Sequence, residues 1–135
     1  VTGARSSDSG QITIMAVILV AGIILLLGLV ADGAAKLQAL ARADTIAAET
    51  VRAALTAVDA RGPTTTLDAP TAVQFGQSYL SRAGYPGTVE VTGPRTVRVT
   101  VNVTGPYPLG IFGGSYDAVG TATGELNVGV RTGDP

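Results

Sequence analysis

"SGQITIMAVILVAGIILLLGLVADG", residues 9–33, decides how the rest of the chain must be built. From Ile12 to Ala31 it carries no charge, and Thr13 is its only polar side chain. A helix of about 20 residues at about 1.5 Å per residue spans about 30 Å, the thickness of a bilayer's hydrocarbon. A secretory signal has a shorter apolar region, about 7 to 15 residues, behind several positive charges. Here only Arg5 precedes the run. Ala31-Asp32-Gly33 does have the small-x-small form of a cleavage site, so release of a secreted module near Gly33 stands as the alternative to a retained anchor.

The helical period continues beyond the apolar run. Leu37, Leu40, Ala47, Val51, Leu55 and Val58 recur at helical spacings, while Lys36, Arg42, Glu49, Arg52 and Asp59 fall elsewhere. Eleven of the residues from Ala34 to Ala60 are Ala, the strongest helix former, and no Pro interrupts before Pro63. One helix from about Gln11 to about Asp59 is expected, half in lipid and half outside, about 73 Å long. Asp32 with Lys36 and Glu49 with Arg52 have the spacing of helix-surface ion pairs. Gly22, Gly28 and Gly33 weaken the helix slightly and permit close approach by another one.

"RGPTTTLDAP" (61–70) breaks the pattern and reads as a turn leading into a second, short helix, with Asp68 as N-cap and Pro70 in its first turn. Ala72, Phe75, Gly76, Tyr79, Leu80 and Ala83 form one face of that helix, and Gly84 ends it. After Tyr85-Pro86-Gly87 the period becomes two. Val89 and Val91, then Val97, Val99, Val101 and Val103, alternate with polar residues around a "TGPR" hairpin turn. A third strand is expected within 116–130, with Tyr116, Ala118, Ala122, Leu126, Val128 and Val130 on one face. Each strand has one apolar face, which only the Ala-rich half of the first helix and the second helix are available to cover. The expected fold is therefore α+β: a long N-terminal transmembrane and stalk helix, a short second helix and an antiparallel sheet of about three strands, in the outline of a pilin or pseudopilin.

Composition narrows the function classes. Charged residues are 14% of the 135, and the net charge is −1 with no basic block, so the electrostatic footprint of a nucleic-acid binder is missing. The chain has no Cys and no His, which removes disulfide frameworks, thiol chemistry and His-based triads. Its acidic residues are scattered, without the spacing of a catalytic dyad or a calcium loop. Ser6, Ser7 and Ser9 have no basic partner nearby. No enzyme, cofactor, metal site or small-molecule substrate is expected. "GPYPLGIFGGSY" (105–116) stands out because Tyr107, Leu109, Ile111 and Phe112 are apolar and bracketed by Pro and Gly. It reads either as a loop folded onto the sheet edge or as an exposed patch for a partner or the membrane surface.

Three elements in order resemble TadE/TadG-like proteins of the tight-adherence (Flp) pilus system. These are the Gly-Gln start with a membrane helix, Asp-Gly exit and Ala-rich helix; "DAPTAVQFGQSYLSRAG" with "GTVEVTGPRTVRVTVNV"; and "PLGIFGGSYDAVGTATGEL". The resemblance implies a small single-pass pseudopilin or assembly factor in the cytoplasmic membrane, its N-terminus cytoplasmic, partnered by like subunits or other pilus components. It divides the chain into a tail (1–10), a transmembrane helix (11–32), its extramembrane continuation (33–60) and a small extracytoplasmic α+β domain (61–135). Prepilins are cut after a Gly and carry Glu at the fifth residue beyond. Gly10 and Gln11 occupy the cleavage position, but the fifth residue is Met15. The missing carboxylate is the group that would neutralise a neighbour's α-amine in an apolar filament core, so processing after Gly10 into a filament subunit stands as a further alternative. Lys36 and Arg42 lie beyond the membrane run and Arg5 before it, so charge alone does not orient the helix, and N-terminus-in follows from the resemblance.

Overall fold

Ala-rich sequence without Pro keeps one helix going past the end of the apolar run. The computed structural model describes residues 6–127, and in it α1 runs unbroken over Ser6–Ala54, 49 residues. It is followed by β1 (Val58–Asp59), β2 (Thr66–Leu67), α2 (Ala69–Ala83), β3 (Gly87–Gly93), β4 (Thr96–Pro106) and β5 (Ser115–Glu125). The expected α+β architecture is present, with the three long strands forming one antiparallel sheet in the order β3-β4-β5. Val128, Val130 and Arg5 lie outside the described residues.

The helix ends five residues before the expected Asp59, because Val58 and Asp59 leave it to pair with Leu67 and Thr66. The Thr56 hydroxyl donates to the carbonyl of Ala53 at 2.7 Å, and the amide of Asp68 donates to the carbonyl of Ala57, so the freed backbone groups find partners in this small hairpin. Asp68 does precede α2, but its carboxylate accepts the Thr71 hydroxyl at 2.6 Å rather than capping a backbone amide.

The sheet buries Val97, Val99, Val101 and Val103 of its central strand, with Val89 and Ala118 from the flanking strands. Two helices cover this face: α1 lies along β4 and β5, and α2 along β3. The buried stripe of α1 is Ala39, Ala43, Ala47, Val51 and Ala54: of the stripe expected from spacing, Ala47 and Val51 are in it and Leu40 and Leu55 flank the core, while Leu37 is 67% exposed. The reason lies in the facing strand. A Cβ on Gly120 would lie 2.3 Å from the carbonyl carbon of Ala43 and 2.4 Å from the amide of Asp44, so helix and strand backbones touch. Only small side chains fit between them, and larger ones are displaced to the flanks. Phe75 is likewise turned outward, because Gly76 is the α2 residue that meets Val89.

Gly120→Val is expected to lower stability by about 3 kcal/mol, since the clashing atoms are backbone and cannot rotate away. Gly33→Ala has open space at its Cβ and is expected to raise stability by up to about 1 kcal/mol through helix propensity. Thermal unfolding of both variants in one detergent, followed by circular dichroism, reads the opposite signs.

Candidate functional site

A carboxylate at the end of an apolar run needs donors, and Asp32 finds two in the β4–β5 loop. Asp32 is completely buried; its Oδ1 accepts the amide of Leu109 at 2.8 Å and its Oδ2 the amide of Ile111 at 2.7 Å. Hydrogen bonds from amides to a carboxylate are among the stronger kind, and here they span more than seventy residues of sequence to fasten the loop to α1. One turn towards the N-terminus, a Cβ on Gly28 would sit 2.4 Å from Cδ1 of Ile111 and 3.2 Å from Cδ1 of Leu109. Gly28 is the seat for these two side chains.

The loop's own sequence gives it the shape to reach that seat. Gly110 and Gly113 have φ of 68° and 123°, values that side chains with a Cβ rarely adopt, and the Gly113 amide donates to the Gly110 carbonyl. Tyr107 is half-buried between two rings, its centroid 6.0 Å from Phe112 and 5.5 Å from Tyr116 in an edge-on contact. Tyr116 in turn lies over Gly105, its cross-strand partner. Leu109, Ile111 and Phe112 remain 62%, 41% and 56% exposed.

The loop therefore folds not onto the sheet edge but against α1 where the apolar run ends, with its apolar side chains left exposed. Gly33, Lys36, Leu37 and Leu40 of α1 face Tyr107 and Phe112 across a shallow groove. Glu49 and Arg52 pair at 2.8 Å as their spacing predicts. The expected Asp32–Lys36 pair does not form among the described residues, because both Asp32 oxygens serve the loop. Gly10 and Gln11 are exposed within the helix, and Gly22 and Gly33 have nothing within 4 Å of an added Cβ. Among the described residues no group of three or more acidic side chains is placed to hold a metal.

Asp32 is the residue that sequence reasoning passed over, reading it as half of a surface ion pair. The signal lay in its position: a charge closing an apolar run is expensive unless donors come to it, and the uncharged Pro/Gly loop between β4 and β5 supplies them. The chain matches no family model, no curated protein and no solved structure. The site's meaning rests on its own geometry: a membrane-associated chain whose long apolar N-terminal helix packs against its folded domain.

Asp32→Ala is expected to release the loop while leaving the sheet intact. Loss of two charge-assisted bonds, about 2 kcal/mol of local stability, should speed amide exchange at Leu109 and Ile111 about 30-fold, with the amides of Val99 and Val101 unchanged. Hydrogen exchange resolved by residue checks this.

Proposed function

We propose that this chain is a single-pass, TadE/TadG-like component of a Flp-type pilus or a related secretion apparatus, acting by association rather than catalysis. In this reading the N-terminus is cytoplasmic and the α+β domain extracytoplasmic. The observation that carries it is the uninterrupted α1, whose first half is apolar and uncovered while its second half is the spine of a small α+β head. Pilins and pseudopilins are built on that division of one helix between membrane storage and a folded head.

The same geometry speaks against a secreted module released near Gly33. Such a cut would remove Gly28 and Asp32, the seat and the clasp of the β4–β5 loop. Deleting the gene in its native host is expected to abolish surface pili. A full-length copy should restore them, and a copy starting at Ala34 behind a cleavable leader should not. Unchanged piliation after deletion overturns the proposal, and a mature N-terminus at Gln11 in sheared fibres would make the chain a filament subunit.

Association through the membrane helix has a preferred side. At about 100° per residue, Gly22 falls about 120° around the helix from the Gly28 face on which the loop's aliphatic side chains sit, and nothing lies within 4 Å of a Cβ added there. The chain has no Cys, so single-cysteine variants report contacts cleanly. Oxidative cross-linking in membranes is expected at Gly22→Cys and not at Ile24→Cys, which points to the opposite side.

A further inference from the structure

We infer that the β4–β5 loop is a second membrane-inserting element, a wedge that enters the same leaflet from which α1 emerges, and that Asp32 is the residue that makes its entry possible. This rests on α1 crossing the bilayer. The level of the loop follows from its seat. Ile111 and Leu109 reach the helix at Gly28, four residues and about 6 Å inside the polar boundary marked by Asp32. Residues that touch an apolar helix at that depth are in the zone between headgroups and acyl chains, the depth at which interfacial segments bury their apolar faces.

The loop meets most of the conditions that this environment imposes. No charged residue lies between Thr104 and Asp117. Backbone amides entering lipid need internal partners, because no water is there to take them. Pro106 and Pro108 have no amide proton, Leu109 and Ile111 donate to Asp32, and Gly113 donates to Gly110, while the amides of Gly110 and Phe112 have no protein acceptor among the described residues and need the water that the headgroup zone still holds. The polar atoms of the carboxylate are used up by the same contacts, so the charge sits fully enclosed rather than facing lipid. What the loop leaves uncovered is Leu109, Ile111 and Phe112, more than two-fifths exposed and continuous with the exposed Leu25 and Leu29 of the membrane helix. Tyr107 and Tyr116 stand just above, where amphipathic rings collect at membrane interfaces. The occupant of this surface is therefore the lipid that surrounds α1: the patch is continuous with a face already apolar enough to cross a membrane.

The chain contains no Trp, so single-Trp variants report depth without background. Phe112→Trp, Leu25→Trp and Phe75→Trp would each be reconstituted in phosphatidylcholine vesicles, with and without lipid brominated near the headgroup end of its acyl chains. Phe75 stands near the level of Ala47 through the chain of contacts Gly76–Val89, Val89–Val99 and Val99–Ala122, about 22 Å above Asp32. Expected is blue-shifted emission lost to bromolipid for Phe112→Trp and Leu25→Trp, with Phe75→Trp quenched by aqueous iodide instead. If Leu25→Trp is quenched by bromolipid and Phe112→Trp by iodide, the wedge is overturned while the membrane helix stands. A Phe112→Trp reached by neither quencher is covered by protein, which also overturns it. If Leu25→Trp itself escapes bromolipid, the membrane reading falls with it. Adding Asp32→Ala to Phe112→Trp is expected to shift its emission to the red, since a loop whose amides lose their acceptor returns to water.

Discussion

Two backbones in contact, α1 at Ala43 and β5 at Gly120, set the geometry of everything else. A second contact, Val51 against Gly124, fixes the direction: helix and strand run the same way, advancing eight residues and four residues, about 12 Å and about 13 Å. Following both backwards from Ala43 and Gly120, Ser115 lies about 16 Å down the strand and Asp32 about 16 Å down the helix. The loop that precedes β5 is thus delivered to the end of the apolar run by the arithmetic of rise per residue. One glycine's lack of a side chain, deep in the head, decides what meets the helix at the membrane boundary.

That delivery resolves an electrostatic problem rather than creating one. A carboxylate out of water carries a large desolvation cost, and a single lysine one turn away would offset it only weakly at an exposed helix surface. Two amides at 2.7 and 2.8 Å with no solvent around are a better match, since they satisfy the oxygens and are themselves satisfied. Lys36 is left exposed at the groove beside Tyr107 and Phe112.

The elements with a clean period were legible in the sequence. Valines at alternate positions from Val97 to Val103 give the central strand, its buried face and the register with β3, and the Ala-rich run gives α1 with no break at the lipid boundary. The helix face was misplaced because a spacing argument follows the large residues, and here the packing surface is made by the small ones. Leu37 looks like core only until Gly120 brings the strand so close to Ala43 that the middle of the stripe is left to Ala and Val. The end of α1 was misplaced for a related reason: Val58 fits the helical period, and only Leu67, its partner across β1 and β2, withdraws it. The clasp at Asp32 depends on contacts between residues far apart in sequence, and no local pattern encodes which of Lys36 or the loop will win.

A lone apolar helix in a bilayer is free to rotate about its axis, so any side of it meets its neighbours. In the proposed arrangement, a helix with a folded loop fixed to its Gly28 side is not free in that way. Turning it would drag Leu109, Ile111 and Phe112 around through the interface, and the loop is held to one azimuth of the helix by two hydrogen bonds and a glycine seat. The side bearing Gly22 is then held about 120° around the helix from the loop's seat at Gly28, and the head above it always presents the same flank. Association between such chains becomes an encounter of defined faces, in the plane of the membrane and above it at once, which is the geometric requirement for building an ordered assembly from a membrane-stored subunit.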